Sequence, residues 1–105
     1  MGEHQRENGD ERLVVVLGGE LDVDRAPMLA EALEMAIDQP GGPVEIVLDV
    51  AGLEFCDSSG LNVLLRAHSN AQGHGKRLSL RAPRPQLRRL LALTGSERLF
   101  PITDT

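Results

Sequence analysis

Asp57-Ser58-Ser59-Gly60 sets a carboxylate, two hydroxyls and a glycine in four consecutive residues. The segment follows a strand-like stretch and opens a helical pattern, which is where open α/β sheets hold ligands, beyond the carboxyl ends of their strands. The first turn of a helix offers unpaired N–H groups and the positive end of the helix dipole, and so favours anions. Two roles are open to a serine there. It can cap the helix, a contribution of about 1 kcal/mol. It can also accept a phosphate, which adds roughly −1.5 to −2 charges at pH 7. Asp57, and Asp22 if its loop lies close, would make that site strongly acidic.

Other chemistries are poorly supplied. A hydrolase elbow needs Gly-x-Ser-x-Gly, whereas this chain has Cys56-Asp57-Ser58-Ser59-Gly60. A triad needs a histidine base. His68 falls on the apolar side of a helical pattern, as a packed or boundary residue, while His4 lies in a polar terminus and His74 in a Gly-rich turn. There is no Gly-x4-Gly-Lys-Ser/Thr phosphate loop, and Gly18-Gly19 opens no dinucleotide fingerprint. Cys56, between Phe55 and Asp57, reads as a small buried hydrophobe. The neighbouring carboxylate raises a thiol pKa, which argues against a nucleophile. Glu20, Asp22 and Asp24 lack the oxygen count and spacing of a hard-cation loop. The expectation is therefore no enzyme, no metal and no cofactor.

The elements that must position Ser58 can be read from pattern. Leu13 to Leu17 is a β-branched run, a strand buried on both faces, which Gly18-Gly19 breaks or bulges. Asp24 precedes a helix start with Pro27 in its first turn, and Leu29, Leu33 and Ile37 form its apolar stripe. Pro40-Gly41-Gly42-Pro43 stops that helix. Val44 to Val50 is the strongest strand signal, and Ala51 to Cys56 leads out of it to Asp57. Leu61, Leu64, Leu65, His68 and Ala71 mark a second helix, ended by Gly73 and Gly75. Leu78-Ser79-Leu80 reads as a short strand, Leu87, Leu90 and Leu91 as a third helix after Pro83 and Pro85, and Arg98 to Ile102 as a last strand. Residues 1–12 are polar, a loose tail or a weak hairpin strand around Asn8-Gly9-Asp10. Alternation of strand and helix predicts an α/β layer on a largely parallel sheet.

Composition bounds the setting. The 105 residues fit one domain, 1–105, with an aliphatic core, since the chain has two Phe and no Trp or Tyr. One cysteine excludes an intrachain disulfide and suits a reducing cytoplasm. No apolar run approaches the ~20 residues of a membrane span, and the first residues lack a signal-peptide core. Without stacking aromatics, direct nucleic-acid binding is not expected, and Arg81, Arg84, Arg88 and Arg89 read as a solvated face. The net charge of −5 is unevenly spread: residues 1–60 hold 14 acids and 3 bases, residues 61–105 hold 2 acids and 8 bases. Either folding intermixes the halves, or the molecule is bipolar and orients on a charged partner.

Taken together, Gly19-Glu20-Leu21-Asp22, Ile46-Val47-Leu48-Asp49-Val50, Phe55-Cys56-Asp57-Ser58-Ser59-Gly60-Leu61, the run Leu87 to Gly95 and Leu99-Phe100-Pro101-Ile102 resemble the STAS-domain anti-sigma factor antagonists of bacteria. The resemblance spans about residues 13–102. It implies a STAS-like single layer of helices on a mostly parallel, mixed small sheet. It also implies a switch. Ser58 corresponds to the serine phosphorylated by an anti-sigma factor that is itself a serine kinase. The unphosphorylated protein binds that partner and frees the sigma factor, and a phosphoserine phosphatase restores binding. Asp22, Asp57, Ser59, Gly60 and Leu61 are implied as the phosphosite surroundings and partner-binding positions, in a cytoplasmic protein that is monomeric when free. STAS-like domains also serve as scaffolding or small-ligand-binding regulatory modules. The residues before Arg12 match the family's first strand poorly, and Asn62 stands where many members have Gly. Members also continue into a further helix where this chain ends at Thr105.

Overall fold

The computed structural model describes residues 4–7 and 12–105. Its elements are β1 (His4–Glu7), β2 (Arg12–Leu21), α1 (Ala26–Asp38), β3 (Glu45–Cys56), α2 (Ser58–Gly73), β4 (Arg77–Arg81), α3 (Pro85–Leu93) and β5 (Ile102–Thr103). The five strands form one sheet in chain order. β1 runs antiparallel to β2, and the β2–β3, β3–β4 and β4–β5 pairs are parallel. Parallel neighbours need a crossover, and each helix supplies one.

The alternation of β2, β3 and β4 sends Leu13, Val15, Leu17, Ile46, Leu48, Val50, Leu78 and Leu80 into a single core. The apolar stripes of all three helices join it: Leu29, Leu33 and Ile37 of α1, Leu61 and Leu64 of α2, Leu87 and Leu91 of α3. The fold is thus a single helical layer on a mixed, mostly parallel sheet, as the sequence implies. On the other sheet face Val14, Val47 and Ser79 are also buried. Their row lies between rows that carry cross-strand ion pairs, Arg12–Glu45 at 3.6 Å and Arg81–Asp49 at 3.9 Å.

Some boundaries differ from the sequence reading. Residues 4–7 are paired with β2 rather than loose, so His4 sits in a strand, while Asn8-Gly9-Asp10 lies outside the described residues. β2 does not stop at Gly18. It runs on to Leu21 through two register shifts, with Gly19 at φ 75°. The carbonyls exposed by that bulge, Gly18 and Glu20, accept from Arg25 Nη1 at 2.7 and 2.6 Å. β3 likewise extends past Val50 to Cys56, because β2 remains beside it as far as the Leu21–Cys56 pair. The last strand is Ile102–Thr103 rather than 98–102. Leu99 N–H turns back to the Ser96 carbonyl at 3.0 Å, and Phe100 is drawn into the core against His68, ring centroids 5.2 Å apart at 63°.

Candidate functional site

The site is built where β2 and β3 end together. Leu21 pairs with Cys56, and the Leu21 carbonyl accepts from Asp57 N–H at 3.1 Å. The next residues, Asp22 and Asp57, therefore leave the sheet side by side. Each carboxylate closes a local turn. Asp57 is the N-cap of α2, in extended conformation, and its Oδ1 accepts from Gly60 N–H at 3.0 Å. Asp22 Oδ1 accepts from Asp24 N–H at 3.1 Å and Arg25 N–H at 3.2 Å. The sequence reading put Asp24 at the head of α1. Asp24 is exposed, and the turn into the helix is held by Asp22, whose carbonyl also accepts from Ala26 N–H at 2.8 Å.

Ser58 is the first residue of α2 and is exposed, and Ser59 beside it is half-buried. Their N–H groups belong to the turn that has no intrahelical acceptor. The cap is Asp57 and not a serine, which leaves both hydroxyls free of that duty. Gly60 and Leu61 are buried, so they seat the turn rather than face outward. At Gly60 a Cβ would lie 2.7 Å from Leu21 Cγ and 2.8 Å from both Cys56 Sγ and the Leu21 carbonyl. Only a residue without a side chain lets α2 start this close to β2.

Around the β2 bulge and the Asp22 turn is an open depression of about 460 Å³ lined by Gly19, Glu20, Asp22, Asp24, Arg25 and Glu54. Its lining is mostly acidic, and the Arg25 guanidinium is engaged by the bulge carbonyls. Val23, next after Asp22, and Phe55, two residues before Asp57, are exposed apolar side chains. Among the described residues no group of three or more His, Cys, Asp or Glu is arranged to hold a metal ion.

Cys56 is fully buried. Burial, and secondarily the Asp57 charge, push its thiol up from 9.0 to about 12. The direction agrees with the sequence reading, but burial outweighs the neighbouring carboxylate as its cause. A thiol so disposed is protonated at neutral pH and is no nucleophile. His68 is buried against Phe100, and His74 contacts Asp38 at 3.3 Å and the Asn70 carbonyl at 2.9 Å. Neither is a base for Ser58 chemistry. Of the arginine group, Arg81 pairs with Asp49, Arg88 bonds the Pro83 carbonyl and Asp104, and Arg84 and Arg89 are exposed.

Two contributors escape a reading by pattern. Arg25 fastens the bulge that brings Leu21 level with Cys56, and Gln86 of α3 bonds both backbone groups of Cys56 at 2.9 Å. Both act on main-chain atoms, and a single polar residue bonding distant backbone leaves no periodic signal.

A family profile described as "Mlab, STAS domain" matches residues 4–101. The chain is 35% identical over 92 residues to an anti-sigma F factor antagonist of Paenibacillus polymyxa, covering 88% of this chain and 78% of that one. Among solved structures, an anti-sigma factor antagonist from Mycobacterium paratuberculosis superposes with TM-score 0.85 at 28% identity, over 100% of this chain and 86% of that one. SpoIIAA in its unphosphorylated form superposes with TM-score 0.83 at 24% identity, over 99% and 89%, a likeness of fold. The chain belongs to the STAS domain family, and these relatives are anti-sigma factor antagonists. No helix among the described residues is long and apolar enough to cross a membrane.

Proposed function

We propose that this protein is an anti-sigma factor antagonist, switched at Ser58 by a serine-kinase anti-sigma factor and reset by a phosphoserine phosphatase. On this reading it is a cytoplasmic regulatory protein, monomeric when free, and not an enzyme. The observation that carries the reading is an exposed hydroxyl at the first position of α2, with the capping duty taken by Asp57.

The chemistry of the switch follows from that place. Exposed Val23 and Phe55 give a partner apolar surface to bury, and the acidic depression beside them favours a partner with basic groups. A neutral serine sits in such an interface at little cost. A phosphate dianion there adds charge to an already acidic surround and must be desolvated or paired when the partner docks. Every ~1.4 kcal/mol lost weakens binding tenfold, so a penalty of a few such steps separates the two proteins. The free protein tolerates the phosphate, because a helix N-terminus accommodates anions. Affinity is then lost without a large rearrangement of the fold.

Binding of the partner by wild type, Ser58→Ala and Ser58→Asp, measured by calorimetry, tests the reading. The alanine variant is expected to bind as wild type does and the aspartate variant more weakly. Equal affinity of all three would count against an electrostatic switch at this position.

A further inference from the structure

β3 outruns β4. The two pair only from Glu45–Arg77 to Asp49–Arg81, while β3 continues beside β2 to Cys56. In a parallel ladder the N–H and C=O of one residue face the same neighbour, and those of the next residue face the other. Asp57 N–H faces β2, where it meets the Leu21 carbonyl. The N–H and C=O of Cys56 face the opposite side, beyond the end of β4. Left unpaired inside the protein, such groups are costly.

Gln86 takes the place of the missing strand. Its Oε1 accepts from Cys56 N–H at 2.9 Å and its Nε2 donates to the Cys56 carbonyl at 2.9 Å. One side-chain amide thus makes the donor–acceptor pair that a neighbouring peptide would make. The amide is itself well anchored. Ala82 turns the chain at φ 53°, Pro85 opens α3, and the next residue along, Leu87, is 1% exposed in the core. Proline in the first turn fixes the backbone from which Gln86 projects.

We infer that Gln86 is a positioning residue for Ser58, acting through the Cys56–Asp57 backbone. The inference rests on the reading of Ser58 as the phosphoacceptor. The strand end that delivers the serine turn is gripped from both sides, by Leu21 of β2 and by Gln86 of α3. Phosphoryl transfer needs the acceptor oxygen held in line with the donor, and a misplacement near 1 Å costs up to about 10²-fold in rate. Gln86 does not itself have to meet the kinase. Its effect therefore falls on turnover rather than on encounter.

Two variants separate the hydrogen bonds from packing. Gln86→Met keeps the length of the side chain and removes both bonds, and Gln86→Glu keeps the acceptor toward Cys56 N–H but sets a carboxylate oxygen against the Cys56 carbonyl. Phosphorylation of each with ATP and the anti-sigma factor that labels wild type at Ser58 is expected to show kcat lowered on the order of tenfold with KM unchanged. In the free proteins, amide hydrogen exchange is expected to quicken at Cys56 and Gly60 and to stay unchanged at Leu48 and Leu80. Wild-type labelling at Ser58 together with unaltered kcat and unaltered Gly60 exchange in Gln86→Met would overturn the assignment of Gln86 and leave Ser58 standing. Failure of every kinase-type anti-sigma factor of the source genome to label wild type would overturn both.

Discussion

Among the described glycines, Gly60 has the least room for a side chain. Any side chain there meets Leu21 and Cys56 below 3.0 Å, and one of those contacts is the Leu21 backbone carbonyl. Overpacking of a closed site costs about 1–3 kcal/mol. Gly60→Ala is therefore expected to lower the free energy of unfolding by an amount in that range, read in urea as a lower midpoint with an unchanged m-value. Cys56 makes a second prediction. Its thiol is held at about 12 in the folded protein against 9.0 for the free group. An unfolded chain gives up that proton first, so the stabilising effect is complete below about pH 9 and is lost as pH rises toward 12. Wild type is expected to lose stability there by about 1.4 kcal/mol per pH unit more than Cys56→Ala does, as read from denaturation at a series of pH values. As surroundings of Ser58, Asp57 and Gly60 were legible through the family resemblance, although pattern offered the cap to a serine. Gln86 was not, since its partner lies 30 residues away and is main chain.

The two turns that leave the sheet divide the work between elements. α2 is capped by a side chain, and α1 is entered through an Asx turn at Asp22, two residues before the Asp24 that pattern suggests. Asp57→Ala is expected to destabilise the protein by about 1 kcal/mol, and Asp57→Asn, which retains a capping oxygen, by less. The measurement is equilibrium unfolding of the three proteins side by side. The same comparison at Asp22 is expected to disturb the entry of α1 and leave the Gly60 amide protected from exchange. Helices were legible from their apolar stripes, since Leu29, Leu33 and Ile37 lie buried together as spaced. Strand ends were less so. β3 reaches Cys56 only because the bulged β2 keeps pace with it, and β5 shrinks to Ile102–Thr103 because Phe100 is claimed by the core. Both outcomes depend on neighbours that a local pattern does not contain.

At the scale of the molecule, the sheet order bears on the charge split. Strands lie in chain order, so β1, β2 and β3 of the acidic part precede β4 and β5 of the basic part across the sheet, and the Arg81–Asp49 pair joins the two where β3 meets β4. Ser58 stands near the end of the acidic part in sequence, and Glu20, Asp22, Asp24 and Glu54 of that part line one depression. Association with a basic partner surface is expected to slow as ionic strength rises, with the dissociation rate much less affected. Stopped-flow association at several salt concentrations reads this directly, and a salt-independent association rate would contradict the bipolar picture. The central claim is chemical, however, and it concerns one oxygen. Incubation of wild type and Ser58→Ala with ATP and a kinase-type anti-sigma factor, followed by mapping of phosphate by mass spectrometry, tests it most directly. One phosphate is expected on wild type, at Ser58, and none on the alanine variant; phosphate that persists in Ser58→Ala, or that maps to Ser59, would contradict a switch at this serine.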